Sequence, residues 1–276
     1  MNAIRHRGLQ VPSESGFSLL EMLVASLISI LVVGGVLIML DGIQQVYRDQ
    51  QQIMDAQQSA RLALEQMQRD LQVAGVGLAW MLSPLPPIVP RADGGFEIHH
   101  NQGGVTAVLV QDMAGAGGFL AVDDVSGFAV NMVVAVYDST GSMDMVTVTG
   151  INDASNYLYH DGASRAYTVA AGTSVARVLT ISYWIDTVDA LSSLMRQEDA
   201  NPAQPVAHFV QTLDVTYYDD HRPPLQFTPL TIADQLRIRM VEIQLTVEVE
   251  NTRLTVGDRP SVTLTSRVTP RAMVLY

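Results

Sequence analysis

Residues 17 to 40 read FSLLEMLVASLISILVVGGVLIML, an apolar run broken by a single charge, Glu21. As a helix rising ~1.5 Å per residue, this run would be ~36 Å long. That is enough to cross a hydrocarbon layer of ~30 Å. A lone carboxylate near the start of such a segment is costly in lipid and demands a use. Arg5 and Arg7 stand upstream. The positive-inside tendency therefore places the first residues in the cytoplasm and the rest of the chain across the membrane. A secretory signal has a shorter apolar core with a small-x-small cleavage site behind it. Here the run is too long, and the small residue, Gly16, stands in front of it.

The helical pattern continues past the apolar run. From Ile43, a spacing of three and four residues links Val46, Gln50, Ile53, Gln57, Ala60, Leu64, Met67, Leu71 and Ala74, which marks one helix face. Glu65 and Arg69 form an i,i+4 pair in the favourable order. No proline falls between Phe17 and Leu82. Gly75 and Gly77 supply a stop, since glycine takes the left-handed cap conformation readily. The pattern predicts one helix over 17–74, ~87 Å long, with a membrane-spanning half, 17–40, and an amphipathic half, 41–74. The stripe holds few heptads and is broken by Gln50 and Gln57, so packing on a sheet suits it better than a free coiled coil.

Beyond the helix, 75–102 reads as a Pro- and Gly-rich connector. Its LSPLPPIVP stretch excludes helix and central strand. The chain then turns β. VTAVLVQDM, FLAVDDV, MVVAVYD and MVTVTGI are short, β-branched and separated by turn residues. Leu179, Ile181, Tyr183 and Ile185 alternate, as do Leu213, Val215 and Tyr217. Leu236, Ile238 and Met240 alternate, then the phase slips by one residue to Val241, Ile243, Leu245, Val247 and Val249, which predicts a bulge or bend. One long helix followed by many strands predicts an α+β fold: an N-terminal helix packed on a C-terminal antiparallel β-sheet domain. Residues 103–178 read as an inserted small β-subdomain and 179–276 as the main sheet.

Composition narrows the function. The formal net charge is -12, which disfavours nonspecific nucleic-acid binding. Without cysteine there is no thiol catalysis and no Cys-ligated metal. No HExxH occurs, and His99-His100 is the only close histidine pair. Gly115, Gly117 and Gly118 lack dinucleotide spacing. GTSVA, centred on Ser174, lacks the closing glycine of a nucleophile elbow. Asp123-Asp124 and Asp219-Asp220 are acids of the kind that could hold Ca²⁺, though solvated turn acids are commoner. The expectation is a protein that is not an enzyme and has no cofactor and no assigned metal site.

The small residue, aromatic, acid and apolar run, in that spacing, resemble the class III signal of type IV prepilins and their relatives in type II secretion. The body is similar to PilW-type minor pilins: RDLQVAGVG at 69–77, SGFAVNMVVAVYD at 126–138, ISYWID at 181–186, LDVTYYDD at 213–220, and VEIQLTVEVE with LTSRV at the C-terminal end. At 131–132 the chain has Asn and Met where that family often has Gly-Asp, and Pro270 and Arg271 stand near its usual Arg-Asn pair. The resemblance implies a pilin-like fold and a cytoplasmic leader, 1–16, cut by a prepilin peptidase between Gly16 and Phe17. It implies methylation of the new Phe17 amine and an assembly role for Glu21, which would meet the amine of a neighbouring subunit. A first-turn acid that only serves its own helix is the alternative for Glu21, and both can hold. The implied protein is a minor pilin that initiates or caps a pilus. It would be anchored once in the inner membrane with its C-terminal domain in the periplasm, and would be incorporated near the pilus tip. Its implied partners are the peptidase, other minor pilins, the major pilin, the inner-membrane assembly platform and membrane lipid. A J-type pseudopilin of type II secretion and a membrane-anchored extracytoplasmic binding protein are the alternatives.

Overall fold

A computed structural model describes residues 18–78, 85–188, 191–219, 224–225, 230–248 and 260–273. The chain divides into two compact units, Met1–Gln51 and Gln52–Tyr276. Helix α1, Leu19–Gln72, contributes to both. It is long and apolar enough to cross a membrane, with a mean hydropathy of 2.8 in its most apolar stretch. In the first unit its large apolar side chains lie open: Leu19 is 83% exposed and Ile38 78%. Together with the β-rich remainder, this makes the fold α+β, with its strands paired antiparallel.

In the second unit, the end of α1 buries Ala56, Ala60, Ala63, Leu64, Met67 and Leu71 in one core. Two sheets supply the other side. The first has the order β1-β2-β9-β10-β11, from Ile88–Pro90, Phe96–His100, Leu179–Val188, Leu191–Glu198 and Gln204–His208. The second is β12-β13-β14, from Val210–Tyr218, Met240–Glu248 and Ser261–Val268. Phe96 and Tyr183 stack in this core at 5.2 Å. Met67 and Leu71 have no exposed surface. Truncating either to Ala is expected to cost ~2–5 kcal/mol, since the cavity left behind collapses only in part. Thermal melts check this: a free-standing helix would show no change in the melting of the β-body.

Between β2 and β9 the chain makes a second sheet system with its own core. Six strands, β3 (Thr106–Val108), β4 (Leu120–Ala121), β5 (Val133–Tyr137), β6 (Met143–Asn152), β7 (Tyr157–His160) and β8 (Ser174–Arg177), run in the order β3-β8-β5-β6-β7-β4. The two end strands also meet. Leu109 bridges Val122, Val110 N–H donates to the Ala121 carbonyl at 2.8 Å, and Asp123 N–H donates to Val108 at 3.0 Å. The sheet therefore closes into a small barrel, which removes its free edges. Leu109, Leu120, Val134, Val136, Leu158 and Val175 fill the interior. Because His100 pairs with Leu179, the barrel leaves and rejoins the first sheet at one point.

Two local expectations change. The segment expected as a connector over 75–102 holds two strands: Ile88–Pro90 is an edge strand, as its prolines allow, and Phe96–His100 is an inner strand of the sheet between β1 and β9. Of the bulge or bend expected near Met240, the structure has a change of direction and not a bulge within one strand, because a turn covers 236–237 and β13 begins at Met240. Leu236 and Ile238 instead follow a short helix, α2, Ile232–Gln235. Thr231 and Asp234 cap that helix reciprocally.

Candidate functional site

Gly16 and Phe17, the expected cleavage pair, lie outside the described residues. The third expected site residue, Glu21, stands in the first turn of α1, exposed. Ser18 is the cap of this helix. Its carbonyl accepts the first helical bond from Met22 N–H at 3.1 Å. Its hydroxyl accepts from Leu20 N–H at 3.2 Å. Glu21 completes the exchange, since its carboxylate accepts from Ser18 N–H at 3.4 Å. These bonds satisfy otherwise orphaned amides at the helix start, with the Ser18 hydroxyl on the Leu20 amide in place of the Glu21 amide that a full capping box would use. The signal was present in the sequence as Ser-x-x-Glu directly before an apolar run. Glu21 thus serves its own helix through a long contact of 3.4 Å.

The second unit holds a polar cluster that the sequence did not signal. Asp70, on the last turn of α1, is 8% exposed. One of its oxygens accepts from Tyr183 OH at 2.6 Å and from Arg196 Nε at 2.7 Å. Gln66 donates to the same carboxylate at 3.2 Å. The other two guanidinium nitrogens of Arg196 reach Glu198 at 3.1 Å. Burial opposes the charge on Arg196, but the hydrogen bond and charge of Asp70 outweigh it and raise its pKa. Burial, with the Asp70 charge adding to it, pushes the Tyr183 phenol up. The cluster ties α1 to β9 and β10. A groove of about 550 Å³ opens beside it, lined by Gln66, Arg196, Glu198, Asn201 and Gln204 among others. All the groups of Arg196 are engaged, so the groove presents no uncommitted cation.

The histidine pair sits where β2 meets the barrel, and both rings are buried. His99 Nδ1 donates to the Pro86 carbonyl at 2.8 Å, which sets its tautomer. His100 Nδ1 accepts from Gln102 N–H at 3.4 Å. Its Nε2 is buried with no hydrogen-bond partner. Burial lowers the pKa of His99, His100 and His160 despite nearby carboxylates. The sign follows by linkage. The fold holds these rings neutral, whereas the unfolded chain binds protons below about pH 6.5. Their stabilisation is complete above that pH and is lost as pH falls toward the lower folded values. The melting temperature is expected to drop between pH 7.5 and 5.5, and His100→Gln should flatten the slope. A melting temperature that rises on acidification would refute this.

The other candidates have structural occupations. Asp123 accepts from Val108 N–H at 2.8 Å, and Asp124 accepts from Ser126 N–H at 2.7 Å. Asp219 is paired with Arg237 at 2.6 Å, while Asp220 lies outside the described residues. Ser174 opens strand β8 opposite Tyr137, a setting with no strand-turn-helix elbow. Among the described residues no group of three His, Asp or Glu side chains is placed to hold a metal. No protein-family model matches the chain, and no curated protein matches it.

Proposed function

We propose that this chain is a minor subunit of a type IV pilus-like filament, with a pilin-like fold, that helps to initiate or cap assembly. A prepilin peptidase removes residues 1–16, the amine of Phe17 is methylated, and α1 holds the chain in the inner membrane with the β-rich unit in the periplasm. Its partners are the assembly platform, the major pilin and other minor pilins. The observation that carries this reading is Glu21. It is the one ionisable side chain on α1 between Leu19 and Leu40, set in a surface of open apolar side chains. A carboxylate there is costly in lipid and gains from an opposite charge in a neighbouring subunit. Its bond to Ser18 is long enough to be exchanged for one to a neighbour's amine.

Mass spectrometry of the mature protein, in cells with an active prepilin peptidase, tests the reading. The N-terminus is expected at Phe17, and a bulky residue in place of Gly16 should block the cut. An intact leader, or a cut after residue 25, would end the proposal. Glu21→Gln is expected to be processed and membrane-held but to support few filaments. Normal piliation at normal protein levels would remove its assembly role.

A further inference from the structure

We propose that His100 is a pH-sensitive latch on the neck between the barrel and the first sheet, and that its protonation opens this neck locally by displacing Arg177 from Asp199. The chain leaves the first sheet after His100, the last residue of β2, and returns at Leu179, the first residue of β9. These two residues pair with each other. His100 therefore stands at the root of the neck.

The imidazole is only 5% exposed. Its Nδ1 accepts from Gln102 N–H, so the neutral ring carries its proton on Nε2. That Nε2 is buried and has no hydrogen-bond partner among the described residues. A buried donor left unmade costs free energy. A second proton, on Nδ1, would break the Gln102 contact and add a buried cation. The closed neck thus favours the neutral ring on two counts.

Charged groups from four places act on the ring. They are Asp70 on α1, Glu198 at the end of β10, Asp199 in the turn after it, and Arg177 at the end of β8. Asp70 is already held by Arg196. Asp199 accepts from Thr180 N–H at 2.7 Å through one oxygen. Arg177 is the loose member. Its guanidinium makes no hydrogen bond among the described residues and reaches the other oxygen of Asp199 only at 3.7 Å. The comparably buried Arg91 and Arg196 hold carboxylates at 2.8 and 2.7 Å. A groove of about 440 Å³ opens beside Arg177, lined also by Val130, Asn131, Thr180 and Asp199.

Protonation of His100 sets a second cation beside one acid. Arg177 swings into the groove, the imidazolium turns to the freed carboxylate, and the pairing of His100 with Leu179 opens. Burial is the largest of the effects that hold the ring neutral in the closed neck, and the charge of Arg177 adds to it. In the open neck the ring titrates near its ordinary value, so acid favours opening. Between pH 7.5 and 5.5 the opening constant rises by up to about tenfold, the most that one proton with an open-state pKa of ~6.5 can supply.

Hydrogen exchange of the full chain in detergent micelles tests this, read by mass spectrometry and corrected for the intrinsic pH dependence of exchange. Segments 99–105 and 176–181 are expected to exchange faster than β12 and β13 at both pH values, the mark of local opening. Their protection should fall by up to about tenfold from pH 7.5 to 5.5. His160→Gln, in the barrel, should keep this response, and His100→Gln should abolish it. Arg177→Gln tests the same point without touching the core. It should shrink the response, because the closed neck then tolerates an imidazolium beside Asp199. A neck that exchanges only as fast as β12 and β13 would overturn the latch. So would a response that survives His100→Gln, which would assign it to His99. An equal loss of protection at both pH values from Arg177→Gln would overturn the displacement of Arg177.

Discussion

Gly77→Ala is expected to destabilise the β-rich unit by ~3–5 kcal/mol, combining left-handed backbone strain with lost hydrogen bonds. Gly77 has φ +71°, and a Cβ there would lie 2.1 Å from the Asn101 carbonyl oxygen. That oxygen belongs to backbone and cannot swing aside. Asn101 is fully buried, and its side chain bonds both Val105 N–H, at 3.2 Å, and the Val105 carbonyl, at 2.9 Å. The turn after α1 is stapled to this point. Gly75 N–H donates to His99 at 2.9 Å, and Asn101 N–H donates to Val76 at 2.7 Å. Moving Asn101 to admit a methyl group would break these bonds where helix, sheet and barrel meet. Gly75→Ala provides the contrast. Its φ is +76°, but the Cβ would meet only side-chain atoms, at 3.2 Å from Pro87. It should cost about 1–2 kcal/mol, the left-handed strain alone. Circular-dichroism melts of the two variants decide. Equal losses would show that the backbone contact at Asn101 is relieved without cost.

The two glycines also show what the sequence made legible. A glycine pair after a helical stripe reads as a stop, and both residues take positive φ in the structure. That the second one lies against a buried asparagine 24 residues away could not be read from local pattern. The buried stripe of α1 was legible at Leu64, Met67 and Leu71, because large apolar residues recur there at helical spacing, with Ala60 in phase with them. Ala56 and Ala63 were missed, since alanine is equally at home on an exposed helix face. Barrel closure was not legible either. Strands of two or three residues, such as Leu120–Ala121, are too short to carry a period of two, and their pairing is set by contacts distant in sequence. The slip at Met240 shows the converse limit: Leu236 and Ile238 alternate like strand residues, yet they follow a helix that Thr231 and Asp234 cap, so the slip marks a bend and not a bulge in one strand. The capping signal outweighs two apolar positions.

At the candidate site, Glu21 was legible because an acid stands out in an apolar run. Asp70 was not. An Asp on a helix one residue after Arg69 reads as a solvated surface pair, and nothing nearby announces that Tyr183 and Arg196 will arrive from strands more than 110 residues away. Only the fold reveals that its carboxylate is buried. Its removal therefore tests packing between α1 and the first sheet independently of any hydrophobic substitution.

Asp70→Ala is expected to cost about 3 kcal/mol, the low end of the ~3–5 kcal/mol found when one partner of a buried pair is removed. The low end applies because the Arg196 side chain is 22% exposed and keeps its bonds to Glu198. For a unit of this size the melting temperature should fall by roughly 6–12 °C. Tyr183→Phe removes one donor and leaves Asp70 held by Arg196 and Gln66, so about 1 kcal/mol is expected. The double variant separates the contributions. If Tyr183 OH stabilises mainly through Asp70, then Tyr183→Phe made on top of Asp70→Ala should cost nothing further, or should be slightly favourable, since it removes a phenol left without its acceptor. Strict additivity would mean that the 2.6 Å bond between them contributes nothing, and that the polar tie of α1 to the sheet runs through Arg196.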